Sequence, residues 1–70
     1  MPLLFLKVGE ISKIIRISGN DQIIKRINAM GLNVGDEVKV ISYFNGNIII
    51  LVKNSKLALS KEVASRIHVG

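Results

Sequence analysis

A small, mainly β barrel of about five strands, with one short amphipathic helix between the first and second long strands, is the fold this chain predicts. Three observations carry it. The length of 70 residues suits one domain, taken as residues 1–70. β-Branched residues gather in short runs punctuated by glycine and asparagine, and only one longer stretch repeats its apolar residues at helical spacing. A closed or nearly closed barrel follows from composition, because a flat sheet in a chain that is 49% hydrophobic would leave edges prone to pairing.

The first strand runs from Glu10 to Ile17, with Ile11, Ile15 and Ile17 on one parity. Ser18-Gly19-Asn20-Asp21 then supplies a turn and a helix N-cap acceptor. Ile23, Ile24, Ile27 and Met30 form the helical stripe, which Gly31 ends in a left-handed position with Leu32 as the apolar contact beyond it. A turn at Asn33-Val34-Gly35-Asp36 leads into the strand Glu37 to Ser42, and Asn45-Gly46 marks a tight hairpin back into Ile48 to Val52. Apolar residues fall on both faces of this hairpin, Val38 and Val40 on one, Ile41 and Tyr43 on the other, so each face asks for a cover. Asn54-Ser55-Lys56 reads as a turn, Leu57-Ala58-Leu59 as a short strand, Ser60 as the cap of one helical turn over Lys61 to Ala64, and Arg66 to Val69 as the last strand. Val8-Gly9-Glu10 and Val34-Gly35-Asp36 echo each other, as one turn-into-strand device used twice.

Ten Lys and Arg against five Asp and Glu give a net charge of +5, which points to an acidic partner. The cations are dispersed along the chain, the pattern of a solvated surface. Without cysteine there is neither a disulfide framework nor a thiolate metal site. The apolar run Ile48 to Val52 falls far short of the ~18 residues of a spanning helix, and Met1 to Leu6 lacks the form of a signal peptide, so the expectation is a cytoplasmic protein without membrane insertion. A domain this small closes one core and has little left to wall a catalytic cleft, and no nucleophile and base are paired by a motif. A binding module, not an enzyme, is expected.

Arg26-Ile27-Asn28-Ala29-Met30-Gly31-Leu32 with Gly35, and the ending Leu59, Ala64, Ile67, Val69, together with Gly9, Ile11 to Ile17 and Val38-Lys39-Val40, resemble the FeoA family of ferrous iron transport proteins over Leu4 to Val69. The resemblance implies an SH3-like barrel in the cytosol and an accessory role to FeoB, a membrane ferrous-iron transporter with a cytosolic GTP-binding domain. The chain departs from many relatives in having no proline near Asn45-Gly46. It also resembles the carboxy-terminal module of metal-dependent repressors of the diphtheria-toxin-repressor type, but no helix-turn-helix precedes it, which favours a free-standing FeoA.

Among single residues, His68 reads as a solvent-facing histidine on the last strand, and Glu10, Asp21, Asp36, Glu37 and Glu62 read as caps or solvated charges, so no metal or cofactor is assigned. No P-loop is present, and nucleotide chemistry is left to the partner. Arg26 either covers the core with its stem or offers its charge to a GTPase partner, while Lys25 points away from the stripe and suits simple charge contact. The partner-contact candidates are Lys25, Arg26, Met30 and Leu32 around the helix, and Tyr43, Phe44 and Asn45 at the hairpin tip. Docking on the FeoB cytosolic domain leads. A homodimer through the apolar hairpin face, a nucleic-acid-binding barrel and a metal-sensing module are the alternatives, the nucleic-acid reading weakened by dispersed charge and only three aromatics.

Overall fold

The computed structural model describes residues 1–70. A 3-10 turn at Leu3–Phe5 precedes strand β1 (Ile11–Ile17), helix α1 (Asp21–Ala29), strands β2 (Glu37–Phe44), β3 (Asn47–Val52) and β4 (Ser55–Ser60), the short helix α2 (Lys61–Ser65) and strand β5 (Ile67–Val69). All neighbours in the sheet are antiparallel, in the order β4-β3-β2-β1-β5. α2 is the crossing from one end of that order to the other. Fifteen aliphatic residues drawn from every strand, both helices and the amino-terminal segment form one core, and no polar side chain is buried in it.

The two glycine turns are the same device twice. Gly9 and Gly35 sit at φ +90° and +97°, a region that costs a side chain energy and glycine nothing. In each turn an acidic residue accepts from the backbone three residues earlier, Glu10 Oε1 from the Lys7 N–H and Asp36 Oδ2 from the Asn33 N–H. Each glycine then donates across the sheet, Gly9 to the Val40 carbonyl and Gly35 to the Ile14 carbonyl, and the same two residues donate back to Glu10 and Asp36. β1 and β2 are thereby locked at both ends.

α1 is capped as its sequence dictates: Asn20 Oδ1 accepts from the Ile23 N–H at 2.9 Å, and Gly31 follows the last turn at φ +96°. Ile27 is buried, Ile23 and Ile24 pack against the core, and Met30 lies at its margin. The hairpin at Asn45-Gly46 is a two-residue turn with positive φ at both positions, closed by Phe44 opposite Asn47.

Four expectations are corrected. In β1 the buried residues are Ile14 and Ile17, while Ile11 and Ile15 are exposed, because a register shift between Ile14 and Arg16 breaks the alternation. In β2 a second irregularity between Val40 and Ser42 inserts one residue, so Tyr43 pairs with buried Ile48 and falls on the face of Val38 and Val40, not opposite them. The turn after β3 lies at Lys53 and Asn54, both with positive φ, and β4 begins at Ser55. The face carrying Ile41, Ile49 and Leu51 is half-buried, although the sequence asked for a full cover there.

Candidate interaction surface

α2 is flanked by a groove on each side. Ser60 caps it by accepting the Val63 N–H, and Ala64 and the preceding Leu59 anchor it in the core. The residues on its flanks are therefore fixed. On one side Lys61 faces the hairpin tip, where Leu4, Tyr43, Phe44, Asn45, Gly46 and Asn47 complete a shallow groove of about 280 Å³. On the other side Glu62, Val63 and Arg66 face α1, where Ile23, Arg26, Ile27 and Met30 complete a second groove of about 170 Å³.

The tip groove depends on one side chain. Tyr43 Oη directs its proton at the carbonyls of Leu6, at 2.5 Å, and Leu4, at 3.1 Å, tying the 3-10 turn to the end of β2. The residue is 45% exposed with its polar end already engaged, so its ring presents an apolar wall. Phe44 beside it is 66% exposed and Phe5 on the 3-10 turn is 70% exposed, so every aromatic residue of the chain is at the surface and the core is wholly aliphatic. Asn45 holds the turn at φ 49°.

The helix groove joins opposite charges to an apolar floor. Arg26 leaves α1 on the side of α2, and Arg66 follows α2 in helical backbone, with Glu62 in the same groove. No ion pair forms among them; the one salt bridge in the molecule, Lys53 to Asp36 at 3.2 Å, lies elsewhere. The arginines remain available to an external carboxylate or phosphate. Lys25 is exposed on α1 and belongs to neither groove.

Leu32 is not a contact residue. It is 0% exposed and belongs to the core, because the left-handed Gly31 turns the chain inward at the end of α1. Met30, 36% exposed, lies at the surface. Missing from the sequence-based set are the α1 residues Ile23 and Ile27, Leu4, Gly46 and Asn47 by the hairpin tip, and Lys61, Glu62, Val63 and Arg66 around α2. The Ser60 cap was visible, but nothing local says that α2 stands between the hairpin tip and α1.

The acidic residues are dispersed. Glu10 and Asp36 cap turns, Asp21 and Glu62 lie in the first turns of α1 and α2, and Glu37 pairs with Lys13 across the sheet. No three of His, Cys, Asp and Glu come together at a spacing that would hold a metal ion. His68 is half-buried on β5, opposite Arg16 and bridged to Pro2, and so is less open to solvent than its place on a last strand suggested.

The FeoA domain model matches residues 1–70, the whole chain. The chain belongs to the FeoA family. Among curated relatives, a protein named putative Fe(2+) transport protein A from Methanocaldococcus jannaschii is 37% identical over 68 residues, covering 97% of this chain and 83% of that protein. A crystal structure of an iron uptake regulatory protein (FeoA) superposes with a TM-score of 0.90 at 29% identity, covering 99% of this chain and 92% of that one. The same TM-score of 0.90 is reached by a manganese-dependent transcriptional repressor bound to manganese, at 19% identity and over only 35% of its length, a likeness of fold alone. The FeoA chain described here thus has the SH3-like barrel that its motifs led one to expect. No helix in it is long and apolar enough to cross a membrane.

Proposed function

We propose that this FeoA protein is a non-enzymatic accessory of ferrous-iron uptake that works in the cytoplasm by docking on the cytosolic GTP-binding domain of FeoB. The observation that carries the reading is the α1–α2 groove, with its floor of Ile23, Ile27, Met30 and Val63 and its two arginines free of ion pairs. An apolar floor supplies the contact area of a hot spot, and unpaired arginines select a partner with carboxylates or phosphates at its rim. Net charge of +5 speeds the approach to such a partner. The names of the relatives supply the process: an Fe(2+) transport protein A and an iron uptake regulatory protein. The acidic residues act as caps and strand pairs instead of converging on a substrate, which supports an adaptor over a catalyst.

Ferrous-iron uptake in cells lacking the protein tests this. The wild-type chain is expected to restore uptake, and a folded Arg26→Glu, Arg66→Glu double variant is expected not to. Uptake that is indifferent to the loss of the protein would remove the reading.

A further inference from the structure

One edge of the sheet is closed by the chain itself and the other is open. At β5, Pro2 bridges His68, the Val69 N–H donates to the Met1 carbonyl at 2.7 Å, and the amino-terminal ammonium donates to the Val69 carbonyl at 2.8 Å. β4 has no such cover. The two-residue turn at Lys53 and Asn54 makes Val52 and Ser55 the hydrogen-bonded pair that closes this hairpin. Ser55, Leu57 and Leu59 therefore direct their peptide groups to β3, and Lys56 and Ala58 direct theirs outward. Counting from the other hairpin, closed by Phe44 and Asn47, gives the same phase. No loop, cap or side chain bonds the outward groups of Lys56 and Ala58, and both residues are exposed.

Beside this edge runs a groove between the end of α1 and the start of β4, lined by Met30, Gly31, Val52, Lys53, Ser55 and Leu57. An unpaired strand edge with an apolar groove beside it is the geometry in which a partner's extended segment gains affinity from main-chain bonds and specificity from alternate side chains. We propose that β4 accepts a sixth strand from a partner protein, an extended segment whose inward side chain is apolar and enters this groove and whose flanks are acidic.

Charge selects that occupant. Lys53 and Lys56 stand at one end of the edge and Lys61 directly follows the other, and of the three only Lys53 is ion-paired. A second copy of the chain is disfavoured. Two-fold pairing about Ala58 sets Lys56 of each copy beside Ser60 and Lys61 of the other, and each copy carries +5. The inference does not rest on the transporter reading: it concerns main-chain bonding at the β4 edge, and the two surfaces share only Met30.

The full chain, labelled with 15N, is titrated with an eight-residue peptide alternating glutamate and valine, and with the same peptide N-methylated on the side that faces β4. Binding is expected to shift the amides of Lys56 and Ala58 and slow their hydrogen exchange about tenfold or more, and N-methylation is expected to weaken binding by about tenfold or more. Lys56→Glu, a change at an exposed position, is expected to weaken the unmodified peptide several-fold. Absence of protection at millimolar peptide, binding that ignores N-methylation, or protection that grows with protein concentration alone would overturn the proposal, the last assigning the edge to a second copy.

Discussion

Leu32→Ala separates a core role from a contact role at the one candidate whose two readings differ most. The side chain is 0% exposed within the aliphatic core, so the substitution removes buried methyl groups and leaves a cavity that the flanking β-branched residues relax into only partly. Leu→Ala at such sites costs about 2–5 kcal/mol. A domain of this length has roughly 4–10 kcal/mol of stability at ~0.05–0.15 kcal/mol per residue, so a loss of about 3 kcal/mol takes a large share of it. At about 4–8 °C per kcal/mol for a domain of this size, the midpoint falls by roughly 12–24 °C. Urea unfolding followed by circular dichroism measures the loss, and binding of the FeoB domain is then measured at a temperature where the variant remains folded. Little change in affinity is expected once the folded fraction is accounted for. A stability change below about 1 kcal/mol, accompanied by lost binding, would refute the placement of Leu32 in the core and with it the account of how Gly31 turns the chain.

Tyr43→Phe removes the hydroxyl that ties Leu4 and Leu6 to β2, and is expected to cost about 1 kcal/mol in chemical denaturation and to speed hydrogen exchange in the amino-terminal segment. Asn20→Ala removes the cap of α1 and is expected to cost about 0.5–2 kcal/mol, read by the same denaturation assay. Gly35→Ala meets no atom within 4 Å, so its expected loss of about 1–2 kcal/mol is backbone strain at φ +97°, and a neutral result would deny the strained turn. Arg26→Ala with Arg66→Ala is expected to leave the unfolding midpoint nearly unchanged, as neither arginine is ion-paired, while weakening the FeoB domain's binding by about tenfold or more in calorimetry.

Local rules made most of the fold legible. The caps at Asn20 and Ser60, the paired glycine turns and the Asn45-Gly46 hairpin each depend on residues within four positions of one another, and all are present. What escaped the sequence is non-local. The Gly9 and Gly35 devices pin β1 to β2 in unbroken register, and the irregularities lie just beyond that pinned stretch, at Ile14/Arg16 against β5 and at Val40/Ser42 against β3. They expose Ile15 and turn Tyr43 toward the core side, against the parity of the sequence. The same limit governs the site. Arg26 was legible as a surface residue by type and helical phase, but Arg66 lies 40 positions from it, and only the packing of α2 brings them to one groove. Leu32 was misread because an apolar residue after a helix-ending glycine has the same local signature whether it closes the core or faces a partner.

The most direct test of the docking account is a titration of the 15N-labelled chain with the cytosolic domain of its FeoB, with and without a GTP analogue and with a nucleic-acid mixture as control. The account predicts saturable binding to FeoB, with the largest shifts at Ile23, Arg26, Met30, Val63 and Arg66. No binding to FeoB, together with binding to nucleic acid that falls steeply with salt, would contradict it.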